Sequence, residues 1–281
     1  MKREPPKIGD LEIPVLGQGT WRMGEDPAKR TAEVAALREG IDLGMTLIDT
    51  AEMYAEGGAE EVVGEACEGR RDEVFLVTKV LPANASRQGT IRACRRSLKR
   101  LRTGRIDLYL LHWAGPHPLE ETFEAFALLQ ERGEIGAYGV SNFDPRAMRE
   151  ALDLAESMSL APPAANQILY NLRRRGPERS LLPLCRERGV TVMAYSPFDQ
   201  GGLPTEGPLR EIASKHRTSP ETCALAWILG REGVVTIPKS SNPAHVRANA
   251  EALDLRLDEE DLALLDRAFP IPEAEEPLEW N

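Results

Sequence analysis

The sequence predicts an α/β protein, a single closed (β/α)8 barrel of the TIM type. Three observations carry this. Short apolar runs alternate with amphipathic helical stretches along the chain. About eight such units fill roughly 250 residues, the size of one such barrel. No shift in composition divides them, so one domain is expected over residues 1–281, with an acidic, Pro-containing tail from about residue 270, "FPIPEAEEPLEWN".

The elements follow in order. "KIGDLEIP" places Gly9-Asp10 between two short extended pieces, a hairpin expected to plug the barrel's bottom. Val15–Gly19 is the first strand. Thr46–Asp49, Val74–Lys79, Ile106–His112, Ile135–Val140, Gln167–Tyr170, Thr191–Tyr195 and Val234–Ile237 follow. Near-continuous apolar runs this short suit strands buried on both faces, as in a parallel sheet. Helices between them open on a capping side chain followed by Pro: Asp26-Pro27, Asp144-Pro145, Ser219-Pro220 and Asn242-Pro243. Gly40 or Gly44 closes the first helix and Gly189 a later one. Glu33, Leu37 and Ile41 against Val34 and Arg38 mark the split faces of the first helix.

Composition narrows the function. A formal net charge of -10 argues against nucleic acid, which needs a basic face. No apolar run is long enough to span a bilayer. "MKREPPKIGDLEIP" lacks the apolar stretch of a signal peptide. Cys67, Cys94, Cys185 and Cys223 are widely spaced with no C-x-x-C pair, as expected of free thiols in a reducing cytoplasm. No metal site is expected: His117 follows His112 by five residues without a third ligand nearby. His216 is expected on a solvated helix face and Trp227 in the core.

The functional signal is where the polar residues fall. Asp49, Lys79 and His112 end successive apolar runs, and Tyr54 lies just past the first. Ser141-Asn142, Gln167, Tyr195-Ser196 and Lys239-Ser240 hold the corresponding places in later units. In a barrel all these ends meet on one face, where active sites are built. Each residue alone has a bland reading as cap, surface charge or packing aromatic. Together, a carboxylate, an ammonium, an imidazole and a phenol converge. Lys and Asp are rarely buried unless paired. A cation near the Tyr54 phenol is expected to favour phenolate and ready it as a proton donor. His112 could offer a neutral N–H to a substrate oxygen. Such a set can protonate and polarise a carbonyl. None of these side chains is a hydride source, so a reduced cofactor is implied.

"VLGQGTWRMG" begins like a dinucleotide fingerprint, with Gly17 and Gly19, and Glu39 or Asp42 could serve as the distant acid. Arg22 stands where the third glycine belongs, and the helix start at Asp26-Pro27 lies well past the turn. The glycines are therefore expected to close the first strand, where bare backbone lets a ligand approach. Arg22 and Met23 are expected at the rim.

At these residues the chain resembles the aldo-keto reductases, through "LGQGTWRMG", "LIDTAEMY", "VTKV", "LYLLHW", "GVSNF", "NQILYN", "AYSPF" and "IPKSSNPAHVRANAEAL" in family order. The resemblance runs nearly end to end and points to the short-tailed bacterial branch. It implies a (β/α)8 barrel reducing aldehydes and ketones with NADPH, NADH being the lesser alternative. It implies Asp49, Tyr54, Lys79 and His112 as the catalytic set, with Tyr54 as general acid. Ser141, Asn142 and Gln167 would hold the carboxamide, Tyr195 would stack on the nicotinamide, and Ser196, Gln200 and Gly201 would cover the pyrophosphate. Lys239 and Ser240 would grip the 2′-phosphate and Asn249 would meet the adenine. Gly19, Thr20 and Trp21 would flank the nicotinamide ribose and substrate, with Trp21 and Trp113 lining the substrate pocket. The implied state is a monomer with a small carbonyl substrate.

Three departures and two alternatives accompany this. His245 stands where NADP-preferring members often carry Arg, with Arg247 two positions off, and imidazole is a poor substitute for a guanidinium. Ala248 replaces an acidic residue before Asn249. Ala55 replaces the usual Gly after Tyr54. The alternatives are a Schiff-base aldolase using Lys79, which needs a lysine of depressed pKa, and a cofactor-bound auxiliary subunit without turnover. The Trp280 tail is expected either to fold over the site or to remain unplaced.

Overall fold

A computed structural model describes residues 6–8 and 11–280. Two short strands open the chain, β1 (Lys7–Ile8) and β2 (Leu11–Glu12), paired antiparallel. The turn expected at Gly9-Asp10 lies outside the described residues. Ile8 and Ile13 pack on Leu47, Val77, Leu108 and Val235. Thr191 Oγ1, at the start of a barrel strand, donates to Lys7 O at 2.9 Å. The hairpin therefore seals the N-terminal end of the barrel, as expected.

Eight parallel strands follow in chain order: β3 (Gly17–Gly19), β4 (Leu47–Asp49), β5 (Phe75–Val80), β6 (Ile106–Leu111), β7 (Ile135–Ser141), β8 (Ala165–Leu169), β9 (Thr191–Tyr195) and β10 (Val234–Thr236). The sheet closes on itself. Leu16 and Gly19 bridge to Thr236 and Lys239, and Thr236 N–H donates to Val15 O at 2.9 Å. This is a (β/α)8 barrel.

The helices are α1 (Arg30–Asp42), α2 (Gly58–Ala66), α3 (Arg87–Arg100), α4 (Leu119–Glu131), α5 (Pro145–Ser157), α6 (Leu181–Glu187), α7 (Pro208–His216), α8 (Pro220–Leu229), α9 (Pro243–Ala250) and α10 (Glu259–Ala268). Asp26, Asp144, Ser219 and Asn242 each accept a backbone N–H at a helix start, as their spacing implied. Gly44, at φ 83°, follows the end of α1. Gly40 lies within α1, where a Cβ would come 2.1 Å from the buried Gln18 side chain. On α1, Glu33, Val34, Leu37 and Ile41 are buried and Arg38 is exposed, so Val34 shares the face of Leu37. Glu33 accepts from Gly24 N–H at 2.9 Å.

Strict alternation is broken twice. Two helices separate β9 from β10, and α10 follows α9. The added pair, α7 and α10, are clasped by Lys215, which donates to Asp258 at 2.7 Å and Asp261 at 2.8 Å. His216 Nε2 lies 2.7 Å from Asp261 Oδ2. His216 is thus paired with a buried carboxylate instead of facing solvent. The partner lies 45 residues away, so the pattern of α7 alone does not reveal it.

Strand alternation positions the site. Leu47, Val77, Leu110, Ala165 and Met193 fill the barrel interior. Side chains two residues on point the same way. Those positions are Asp49, Lys79, His112, Gln167 and Tyr195. The outer faces of the same strands, with Ile48, Leu76, Tyr109 and Leu111, pack under the helices in the main core. One period-2 pattern thus builds the packed interior below and delivers polar groups to the mouth above.

Candidate active site

The Lys79 side chain is fully buried. Its Nζ donates to Asp49 Oδ2 at 2.8 Å, to Thr50 O at 2.8 Å and to Tyr54 Oη at 3.3 Å. The second Asp49 oxygen accepts from Gln167 Nε2 at 2.7 Å. Burial would drive the ammonium towards neutrality, but Asp49 and Tyr54 outweigh it and hold the Lys79 pKa above its ordinary value. Burial pushes the Asp49 carboxyl up, with Lys79 and Gln167 opposing. A Schiff-base lysine needs the reverse shift and a free nitrogen, so the aldolase alternative loses its chemical basis.

The Tyr54 phenol departs from expectation. Burial raises its pKa, Lys79 pulls it down, Asp49 pushes it up, and the net direction is up. Desolvation of the anion that ionisation would create outweighs the pull of the nearby cation. Lys79 still orients the hydroxyl. Burial, with Lys79 adding, drives the His112 imidazole down to about 2, so the ring is neutral, as expected. Its Nδ1 is buried without a hydrogen-bond partner. The Tyr54 and His112 rings meet edge to face at 5.9 Å.

The loop carrying Tyr54 is unusual. Ala55, Glu56 and Gly57 have φ of 50°, 54° and 96°. Left-handed backbone costs an L-residue roughly 1–2 kcal/mol, so Ala55 carries strain. Glu52, which sequence reading missed, anchors the loop. It is buried and accepts from Leu81 N–H and Asn84 Nδ2, each at 2.9 Å, and pairs with Arg96 at 3.2 Å. Nothing in its sequence neighbourhood separates it from the chain's many surface glutamates.

These groups floor a cavity of about 390 Å³. Gly19, Thr20, Trp21, Asp49, Tyr54, His112, Trp113, Ser141, Asn142, Gln167, Tyr195, Ser196, Gln200, Gly201 and Lys239 line it, so nearly all the expected site residues converge. Met53, Phe198 and Trp280 join them. Trp280 closes over the mouth: its ring lies 5.8 Å from that of Trp113, which lies 4.7 Å from His112. Lys79, fully buried, and Ser240 and Asn249 fall outside the lining. The Ser240 hydroxyl is spent in a turn with Asn242, and Asn249 is buried on α9. Met23 is fully buried and belongs to the core, not the rim. Arg22 does lie exposed, its guanidinium 4.3 Å above the Trp21 ring.

The wall opposite Tyr54 is a polar network. Asn142 Nδ2 donates to His112 O and Ser141 Oγ, each at 3.1 Å. Its Oδ1 accepts from Tyr195 Oη at 2.9 Å. Ser141 Oγ donates to Gln167 O at 2.9 Å. Lys239 is exposed at the far end, its pKa drawn down by partial desolvation and by Lys29 and Arg22, with Glu33 and Glu25 opposing. Arg247 is committed to Glu39 at 2.6 Å. The volume falls in the range of cofactor pockets. Polar wall, aromatic mouth and distal cation suit a nicotinamide dinucleotide with its substrate.

A site able to protonate a carbonyl oxygen, with no electron source of its own, defines a nicotinamide-dependent oxidoreductase acting on carbonyls. The chain belongs to the aldo/keto reductase family, whose model matches residues 15–269. It is 49% identical over 276 residues to a methylglyoxal reductase of Escherichia coli K12, covering 96% of each chain. Two crystal structures of a Klebsiella pneumoniae aldo-keto reductase, one with NADP and acetate and one with NADPH, superpose with TM-scores of 0.93 at 44% identity. They cover 99% and 100% of this chain and 100% of their own.

Two outcomes follow. Replacing Ala55 with Gly removes the left-handed strain, so Ala55→Gly should raise Tm by about 2–4 °C, equivalent to about 1 kcal/mol. A lower Tm in a thermal scan would remove the strain argument. His112, pushed down to about 2, and Tyr54, raised by burial, both lie outside the neutral range. Neither the imidazole nor the phenol should then give the kcat/KM profile a limb between about pH 6 and 9. A limb near pH 6.5 that is lost on His112→Gln would show the imidazole titrating after all.

Proposed function

We propose that this chain reduces small aldehydes and ketones to alcohols with NADPH, Tyr54 acting as general acid. Short α-oxoaldehydes such as methylglyoxal are the favoured substrates. The observation that carries the reading is the Tyr54 hydroxyl, at the cavity, held 3.3 Å from the buried, ion-paired Lys79. Similarity to a methylglyoxal reductase and an aromatic, uncharged mouth of Trp21, Met53, Trp113 and Trp280 support the substrate class.

When bound, the nicotinamide supplies the hydride to the carbonyl carbon. Ser141, Asn142 and Gln167 would hold its carboxamide side, and Tyr195 would face the ring. Ser196, Gln200 and Gly201 would meet the pyrophosphate, and Lys239 the 2′-phosphate. The neutral His112 orients the carbonyl oxygen towards Tyr54. The Tyr54 hydroxyl gives its proton to that oxygen as negative charge develops there, and Lys79 stabilises the phenolate left behind. Asp49 keeps Lys79 charged throughout. The aromatic mouth excludes water from the transfer. Four buried, unpaired cysteines are in keeping with a cytoplasmic setting.

Tyr54→Phe should lower kcat by about 10²–10⁴-fold while NADPH still quenches tryptophan fluorescence with wild-type affinity. Full turnover in that variant would refute the mechanism. NADPH should have a lower KM than NADH by about tenfold, a modest margin because His245 offers no guanidinium and Arg247 is held by Glu39. Lys239→Ala should abolish most of that margin. A KM for NADH equal to or below that for NADPH would reject the cofactor assignment.

A further inference from the structure

The loop after β8 carries three consecutive arginines, Arg173, Arg174 and Arg175, which between them hold the loop after β9 and the tail. Arg173 Nη1 donates to Asp199 Oδ2 at 3.0 Å and to Gly202 O at 2.8 Å. It thereby seats residues 196–202, the loop assigned above to the pyrophosphate. Arg175 is buried and fixes the start of the tail, donating to Asp266 at 2.8 Å and to Phe269 O at 2.6 Å. Arg174 does both. Its Nε donates to Asp199 Oδ1 at 3.2 Å, and its Nη1 pairs with Glu279. Glu279 immediately precedes Trp280, which is 57% exposed and in tilted ring contact with Trp113.

The two ends of this bridge differ in firmness. The Asp199 side chain is 8% exposed and shared by two guanidiniums. The Glu279 side chain is 51% exposed and pairs with one. The loop itself stores strain, with Ser196, Asp199 and Gln200 at φ of 50°, 49° and 55°. Such backbone persists only where surrounding bonds hold it, and Arg173 and Arg174 supply them. A planar guanidinium presents its donors to two carboxylates in fixed directions, whereas a lysine ammonium is a rotatable point charge.

We propose that Arg174 is a positioning residue that couples the pyrophosphate loop to the Trp280 wall, so that a seated loop holds the aromatic lid of the substrate half. The inference rests on the proposed function for what the two halves bind. The coupling is reciprocal, as any such linkage must be: loosening the tail loosens the loop.

Amide hydrogen exchange on the full chain tests this without turnover. Glu279→Gln removes charge from the tail alone. It should speed exchange in residues 270–280 and also in residues 196–202, which it does not touch. Arg174→Ala should do both more strongly, with Arg174→Lys intermediate. In kinetics, Glu279→Gln should raise the aldehyde KM about fivefold and weaken NADPH about twofold to threefold, with kcat retained. A tail anchor without coupling leaves loop exchange and NADPH affinity at wild-type values, and that result overturns the proposal. Failure of the wild-type chain to reduce any carbonyl would defeat the functional reading instead, while the exchange comparison still decides the coupling.

Discussion

The Asp49–Lys79 ion pair is the constraint around which the mouth of the barrel is arranged. Removing one member of a buried pair costs about 3–5 kcal/mol, because the other charge is left uncompensated. Every polar direction of the pair is therefore filled. Lys79 uses its three protons on Asp49, Thr50 O and Tyr54. Asp49 uses its free oxygen on Gln167, which crosses the barrel from β8. One carboxylate thus fixes both walls. On one side it sets the lysine under the phenol. On the other it fixes the glutamine whose strand continues the Ser141 and Asn142 network. In the proposed mechanism, proton delivery and cofactor orientation share a single anchor.

Much of this was legible from the residues. Four Asp, Ser or Asn caps followed by Pro marked helix starts that the fold uses, and the apolar runs marked the strands to within a residue or two. The inward set followed from counting by twos along runs whose polar member stood last. What was not legible depends on distant partners. Gln167 meets Asp49 across 118 residues, and His216 meets Asp261 across 45. The direction of the Tyr54 pKa needed the depth of its burial, which no spacing reveals. Met23 reads as rim beside exposed Trp21 and Arg22, yet the left-handed turn at Arg22, φ 65°, swings it into the core. The tail offered a choice between closing the site and lying loose, and arginines a hundred residues earlier decide it.

The glycines of "VLGQGTWRMG" close the first strand, and the barrel itself supplies the reason. Bare backbone at Gly17 and Gly19 was expected to admit a ligand. A Cβ on Gly17 would stand 2.6 Å from Leu47 O, and one on Gly19 would stand 2.7 Å from Ile237 O. Neighbouring strands exclude side chains there. β3 is the strand where the sheet must meet itself, joined to β4 on one side and to the end of β10 on the other. Closure at that seam brings the backbones unusually near, and only glycine leaves room. Thr20 then spends its hydroxyl on Asp49 O at 3.0 Å, fastening the seam to the strand that carries the carboxylate. The site can face Gly19 because the barrel has already required that residue to be small.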